Sequence, residues 1–288
     1  MLKVGIVGLP NSGKSTLFNA LLQKQIANTA EYPFTTIEPN VGVVQVPDGR
    51  LESISGATGI EKIVPAAIEF IDIAGLVKGA HAGEGLGNQF LGHIREVDAI
   101  LHLIRGFHNP NVDGETNPQE DTKIIKEELS HAHIEKPVMY VVNVDEKDLS
   151  TPKVGITGAV KISAKLENEL FELSPKEQKD YLKELGVDQT GLERVIKLCY
   201  KLLDLITFFT VAHGKQVQAW PVKKGTSALE AAGVVHTDMQ KGFVKAEVVN
   251  WRKLIEASGW KKAAERGLIR LEGRDYEVRG GDVVEFKF

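Results

Sequence analysis

Gly8-Leu9-Pro10-Asn11-Ser12-Gly13-Lys14-Ser15 follows directly on the apolar run Leu2-Lys3-Val4-Gly5-Ile6-Val7 and leads into Thr16-Leu17-Phe18-Asn19-Ala20-Leu21-Leu22. A G-x-x-x-x-G-K-S string in that setting is a phosphate loop, because its backbone N–H groups can cradle phosphates only when a strand delivers them and a helix continues them. Leu17, Ala20 and Leu21 recur at i, i+3 and i+4, which predicts a helix laid on a sheet. In such a loop Asn11, Ser12, Gly13, Lys14, Ser15 and Thr16 surround the nucleotide's phosphates, Lys14 reaches the β and γ groups and the Ser15 hydroxyl ligates Mg²⁺. A glycine-rich turn without a ligand would need neither flank.

A chain of 288 residues is longer than one typical domain and predicts two. No run approaches the roughly 18 apolar residues of a membrane span, and Met1-Leu2-Lys3 enters a core strand at once, so neither a membrane segment nor a signal peptide is expected and the location reads as cytoplasmic. Cys199 is the one cysteine, which excludes an intrachain disulfide; in the helical-period run Leu192 to Tyr200 it reads as packing. The net charge of −4 is unevenly spread. From Ile206 onward 14 Lys and Arg face 10 Asp and Glu, a weak hint of an anionic partner that a solvated surface explains equally well.

The remaining parts of a nucleotide switch follow in order. Tyr32-Pro33-Phe34-Thr35-Thr36-Ile37 lies between the first helix and the strand-like Val41 to Val46, where Thr36 can coordinate Mg²⁺ and sense the γ-phosphate. Ala66 to Ile71 reads as a buried strand ending in Asp72-Ile73-Ala74-Gly75, with Asp72 in the Mg²⁺ shell and Gly75 bringing its N–H to the γ-phosphate. Gly79, Gly83, Gly85 and Gly87 then describe a rearranging loop ahead of a helix with the apolar stripe Phe90, Ile94 and Val97. Leu76 stands where Ras-like GTPases carry a water-orienting Gln.

Base recognition is expected at the end of Pro137 to Val142, in Asn143-Val144-Asp145-Glu146. Guanine-reading loops carry N-K-x-D here, and their Asp accepts the guanine N1 and N2 hydrogens. Val144 replaces the Lys and Glu146 the Asp, which removes the main reason to prefer GTP; Asp145 lies one position too early to substitute simply. Ser163-Ala164-Lys165, after Ala159 to Ile162, is the usual loop that supports the base.

Together these motifs and the C-terminal region resemble the Obg-like ATPases of the YchF type, over nearly the whole chain, with N-x-x-E as the most specific element. The resemblance implies an α/β P-loop NTPase of the Obg-like G-domain kind, with a mostly parallel sheet covered by helices on both faces. It implies preference for ATP, ribosome association with a regulatory role in translation or stress, and a C-terminal TGS domain facing ribosomal RNA. In related cation-dependent switches an asparagine at the place of Asn11 helps hold K⁺, so K⁺ joins Mg²⁺ as an expected cofactor. The domains are read as 1–205, with a shortened insertion at about 106–136, and 206–288. In the latter, strands are expected at Thr207 to Val211, Val217 to Val222, Phe243 to Val249, Leu268 to Glu272, Tyr276 to Arg279 and Val283 to Phe288, with one helix at Ser227 to Ala232 and another at Trp251 to Arg266. Lys223, Lys224, Lys241, Lys245, Lys261 and Lys262 are candidate phosphate contacts, although isolated lysines usually only solvate a face. Trp220, Trp251 and Trp260 read as packing before base stacking.

Two departures limit the resemblance. The family inserts a long helical arm between the strands read here as Ile100 to Ile104 and Pro137 to Val142; the short connection holds one helix-like run, Thr122 to His131, so the arm is absent. The family's water-positioning histidine belongs in a loop that is shortened here, Phe107 to Gly114; His108 lies nearby but out of register, and Asp113 and Glu115 are weaker alternatives. His93 reads as a helix residue and His102 as structural within a strand. The resulting expectation is a slow ATPase switch, monomeric, with catalysis carried by Lys14, Thr36, Gly75 and His108. The alternatives are an Obg-type GTPase and a nucleotide-gated ribosome-binding module with negligible turnover.

Overall fold

The computed structural model describes residues 2–28, 40–73, 86–108, 117–151, 155–211 and 214–288, with backbone alone at 24–28 and 86–89. Two compact units emerge: residues 1–45 with 67–202, and residues 46–66 with 203–288. Residues 46–66, which the sequence reading left inside the first domain, thus fold with the C-terminal unit.

In the first unit, β1 (Leu2–Val7) lies between β4 (Ala67–Asp72) and β5 (Ala99–Arg105), parallel to both. β6 (Val138–Asn143) and β7 (Val160–Ile162) continue the parallel sheet, and β2 (Val41–Gln45) closes the other edge antiparallel to β4, giving the order β2-β4-β1-β5-β6-β7. The near-continuous apolar run of β5 is what a strand covered on both faces requires, and six of its seven residues are buried.

Helices supply the covers. α1 (Lys14–Asn28) buries Leu17, Ala20 and Leu21, the face predicted from their spacing. α3 (Leu86–Glu96) and α4 (Pro118–His131) pack into one cluster that includes Phe90, Ile94, Val97, Ile125 and Leu129. α4 begins at an Asn117 cap with Pro118 in its first turn, and among the described residues it is the one helix between β5 and β6. α5 (Ala164–Glu169), α6 (Pro175–Glu184) and α7 (Gly191–Leu202) follow, with Leu166 and Leu182 joining Val142 and Val144 in a second cluster. Cys199 on α7 is buried with Sγ 3.6 Å from Met139 Sδ, and burial pushes its thiol up to about 12, so it is packing, as expected.

The second unit carries its own sheet, ordered β11-β10-β12-β8-β9-β3. Its strands are β3 (Ile63–Val64), β8 (Leu205–Thr210), β9 (Val217–Lys223), β10 (Lys245–Asn250), β11 (Arg270–Glu272) and β12 (Asp282–Lys287). β3 pairs parallel with β9 through Ile63 to Val217 and Val64 to Gln218, and Val217 N donates to Lys62 O at 2.9 Å. Phe208 and Phe286 meet edge to face in the core, with ring centroids 6.2 Å apart.

Several elements differ from expectation. The helix predicted over Trp251 to Arg266 is two, α10 (Trp251–Ala257) and α11 (Trp260–Glu265), because Ser258 and Gly259 turn left-handed at φ 58° and 114°. A Cβ at Gly259 would stand 3.1 Å from the Ala57 carbonyl of α2 (Arg50–Thr58), so the break also admits that helix. Tyr276 to Arg279 is no strand; Glu277 makes an isolated bridge to Ser227, and Asp282 Oδ2 accepts from Arg279 N and Tyr276 Oη at 2.9 and 2.7 Å, shaping a turn. α8 (Ala228–Val235) is followed by the unpredicted α9 (Thr237–Lys241). The three tryptophans are half-buried, and Trp220 Nε1 donates to Thr210 Oγ1 at 3.0 Å. Among the described residues no helix is long and apolar enough to cross a membrane.

Candidate nucleotide site

The phosphate loop leaves the carboxyl end of β1, next to β5, where the strand order reverses direction; this is where open α/β sheets bind ligands. Its turn needs two left-handed residues, Asn11 at φ 62° and Gly13 at φ 92°. Gly8 is required by proximity: a Cβ there would overlap the Leu103 carbonyl and stand 2.8 Å from Ser12 Oγ. Helix α1 starts at once, with Leu17 N donating to Gly13 O at 2.9 Å. The loop therefore ends on a helix N-terminus, which favours an anion.

Lys14 is half-buried and donates from Nζ to the carbonyls of Gly8 at 2.9 Å and Leu9 at 3.3 Å. Burial lowers its pKa and Asp72 opposes that shift; burial raises the Asp72 pKa and Lys14 opposes it. The two opposite charges thus face a common space. Asp72 Oδ1 and Ser12 Oγ are buried without a hydrogen-bond partner, at the loop where a metal and phosphates would satisfy them. The oxygen donors of Ser15 and Asp72 fit Mg²⁺, which takes one or two protein oxygens and completes its shell with phosphate and water. Ser15 and Thr16 are exposed and available. Thr36, Gly75 and Leu76, with the surrounding segments, lie outside the described residues, as do Asp113 and Glu115.

Asn143, at the end of β6, ties the phosphate loop to the base-supporting loop. Its Nδ2 donates to Ser12 O at 3.0 Å and its Oδ1 accepts from Ala164 N at 2.9 Å. A Cβ on Gly13 would collide with Asn143 Nδ2, so the glycine and the asparagine are matched. Ser163 caps α5 by accepting from Leu166 N at 3.4 Å. Of the residues assigned to nucleotide binding from sequence, Gly13, Thr16, Asn143, Val144, Glu146, Ser163, Ala164 and Lys165 line one cavity of about 320 Å³. Asn11, Ser12, Lys14 and Ser15 lie outside its lining, on the phosphate loop. Lys165 reaches outward to Glu169 at 3.5 Å, with 77% of its side chain exposed, so its aliphatic stem is what it offers the cavity.

Four further residues act at this cavity without having been assigned to it. Phe107 and Asp145 line it. Tyr181 Oη donates to Glu146 Oε2 at 3.0 Å, and Lys161 Nζ donates to Asp148 O at 2.8 Å, fixing the turn that carries Glu146. Phe107 follows two residues after β5 and could have been read as a wall from its aromatic type; the others carry no local signal. His108 is exposed and makes no hydrogen bond among the described residues. His102, by contrast, is fully buried with both ring nitrogens unpartnered, and burial lowers its pKa to about 3; it is a neutral structural histidine beside Tyr140. Among the described residues no cluster of three or more His, Cys, Asp or Glu could hold a metal.

Comparison with known proteins accords with this geometry. Residues 3–144 match the MMR_HSR1 family, described as 50S ribosome-binding GTPase, and residues 205–288 match the YchF-GTPase C-terminal family, described as a protein of unknown function. The chain is 38% identical to the ribosome-binding ATPase YchF of Bacillus subtilis, over 100% of this chain and 99% of the relative, and 37% identical to that of Escherichia coli O157:H7, over 99% of each. The former alignment runs over 364 positions although the chain has 288 residues, so the relative carries residues that this chain lacks. A solved structure described as the YchF GTPase of Schizosaccharomyces pombe superposes with a TM-score of 0.82 at 29% identity, covering 99% of this chain and 97% of that one. With its phosphate loop, N-x-x-E turn and C-terminal unit all in the family's order, the chain belongs to the YchF family of P-loop NTPases.

Proposed function

We propose that the chain is a slow Mg²⁺-dependent ATPase switch. The observation that carries this reading is the Asn143 side chain, which joins the phosphate loop at Ser12 to the base-supporting loop at Ala164 beside a cavity presenting Glu146. Asn143 thereby sets the distance between a phosphate cradle and a base pocket, which suits a purine nucleoside triphosphate. The Glu146 carboxylate, which only accepts, can take the adenine N6 amine where guanine presents its O6 acceptor, and it stands in place of the aspartate that takes the guanine N1 and N2 hydrogens.

In this mechanism Ser12, Gly13, Lys14, Ser15 and Thr16 hold the phosphates, and Lys14 leaves the Gly8 and Leu9 carbonyls to reach them. Ser15, Thr36 and Asp72 complete the Mg²⁺ environment, while Asn11 helps hold K⁺. Mg²⁺ supplies neutralisation of the charge that develops between the β and γ groups. The Gly75 N–H meets the γ-phosphate, and His108, exposed near the cavity wall, is the candidate for orienting water. With Leu76 unable to do so, turnover on the order of 10⁻⁴ to 10⁻² per second is expected. The C-terminal unit, read as a TGS domain over 206–288 and completed by residues 46–66, meets the ribosome; exposed Lys224 and Arg279, together with Glu277, line an open cavity of about 490 Å³ there, and the two cations can meet phosphate groups. The protein acts in the cytoplasm as a monomer. The names of the B. subtilis and E. coli relatives support ATP and the ribosome.

A GTPase reading is favoured by two observations: the S. pombe structure is described as a GTPase, and Asp145 lines the same cavity. Titration calorimetry with ATP and GTP, on the wild type and Glu146→Asp, separates them. Tighter ATP binding by the wild type, narrowed in Glu146→Asp, supports ATP selection; tighter GTP binding by the wild type overturns it. Bound but unhydrolysed ATP, even with ribosomes present, would leave a nucleotide-gated binding module.

A further inference from the structure

We propose that Tyr181 sets base selectivity by engaging one oxygen of Glu146 and fixing the orientation of its carboxylate, an inference that rests on the reading of Glu146 as a base-facing residue. Tyr181 stands on α6, and its ring packs against the cluster that contains Leu149, Leu166 and Leu182. The helix is fixed at its start by the reciprocal Ser174 and Glu177 capping box. Gln178 Nε2 ties it to the turn that follows α5 by donating to Leu170 O at 2.8 Å and Leu173 O at 3.0 Å. The phenol is therefore a donor held on a rigid frame, and it donates to Glu146 Oε2 at 3.0 Å. Glu146 opens a turn that is itself held, with Leu149 N donating to Glu146 O at 3.1 Å and Asp148 N to Asp145 O at 2.9 Å. Glu146 Oε1 has no hydrogen-bond partner among the described residues.

This arrangement changes what the carboxylate can read. A carboxylate with both oxygens free takes two parallel N–H donors at once, the pattern that guanine offers at N1 and N2. Tyr181 takes one lone pair of Oε2 and fixes the rotation of the carboxylate, which weakens Oε2 as the second acceptor of a parallel pair and leaves Oε1 for one donor such as the adenine N6 amine. Tyr181 is thus a positioning residue that disfavours the two-point guanine mode at Glu146.

The test is affinity for ATP, GTP and inosine triphosphate, measured by calorimetry on the wild type, Tyr181→Phe and Glu146→Ala. Tyr181→Phe keeps the packed ring and removes the donor. The expected result is an ATP-to-GTP affinity ratio lowered about tenfold, equal to one unmade discriminating bond, with the change entering KM rather than kcat. GTP should also gain on inosine triphosphate, which lacks the N2 amine. A structural role alone would move the thermal midpoint and leave both ratios where they were. Unchanged ratios in Tyr181→Phe, alongside a changed ATP-to-GTP ratio in Glu146→Ala, overturn the role of Tyr181 only. Unchanged ratios in both variants overturn the role of Glu146 as well.

Discussion

The two units handle buried polarity in opposite ways. Among the described residues, the buried side-chain atoms without a partner belong to Ser12, Asp72, His102 and Arg194, all in the first unit. In the second, Asp282 is buried but accepts from Tyr276 and Arg279, Trp220 is met by Thr210, and Ser227 and Glu230 cap α8 reciprocally. A native fold rarely leaves polar atoms unmet, so the exceptions mark either a ligand's place or a tolerated cost. Ser12 and Asp72 border the phosphate loop and belong to the first kind; His102, sealed between strands, belongs to the second. The difference teaches that the first unit is built to be completed by something it binds, whereas the second is complete once residues 46–66 have joined it.

The largest expected effect tests that last clause. Ile54 on α2 is fully buried, and Ile54→Ala should cost about 3 kcal/mol, as a large core truncation does. Hydrogen exchange should show the loss in β8, β9 and α10 and spare β5 and β6; equal loss in both sets would break the division into units. Next, Asp72→Ala should weaken Mg²⁺ activation roughly 10- to 100-fold without lowering the thermal midpoint of the nucleotide-free protein, because the residue is half-buried and its Oδ1 is buried without a partner. A lowered midpoint would make Asp72 structural.

A smaller effect concerns pH. His102 is neutral when folded, because burial lowers its pKa to about 3 from the 6.5 of a free imidazole, so the unfolded chain binds the extra proton between those limits. The stabilisation is fully present above pH 6.5 and is lost as pH falls towards 3, by on the order of 1 kcal/mol per unit. His102→Leu should flatten that slope in denaturant titrations at pH 5 and 7; an unaltered slope contradicts the assignment. Smallest is Ser227→Ala, which removes the α8 cap and should cost about 1 kcal/mol, visible as a modest shift in the urea midpoint.

Much of the first unit was legible because its signals are local. The phosphate loop, the Leu17, Ala20 and Leu21 face of α1, the Phe90, Ile94 and Val97 stripe and the structural roles of His102 and Cys199 each depend on a short window of chain. Most of what escaped depends on distance in sequence. β3 is two residues long and pairs with a strand more than 150 residues away, so no periodicity could assign residues 46–66 to the C-terminal unit. The break at Ser258-Gly259 carries a local signal, the Ser-Gly pair, which the reading of one helix passed over; the approach of the Ala57 carbonyl to Gly259 comes from a helix far away in sequence. Tyr181 meets Glu146 across 35 residues, through a helix whose own pattern reports only its core face.

The central claim is that the completed first unit hydrolyses ATP, and steady-state phosphate release tests it most directly. ATP and GTP should be compared in Mg²⁺ buffer with K⁺ or Na⁺, beside a Lys14→Ala control. The account predicts faster release from ATP than from GTP, stimulated by K⁺ and abolished in Lys14→Ala. Release that survives in Lys14→Ala, or none from ATP in the wild type, would contradict it.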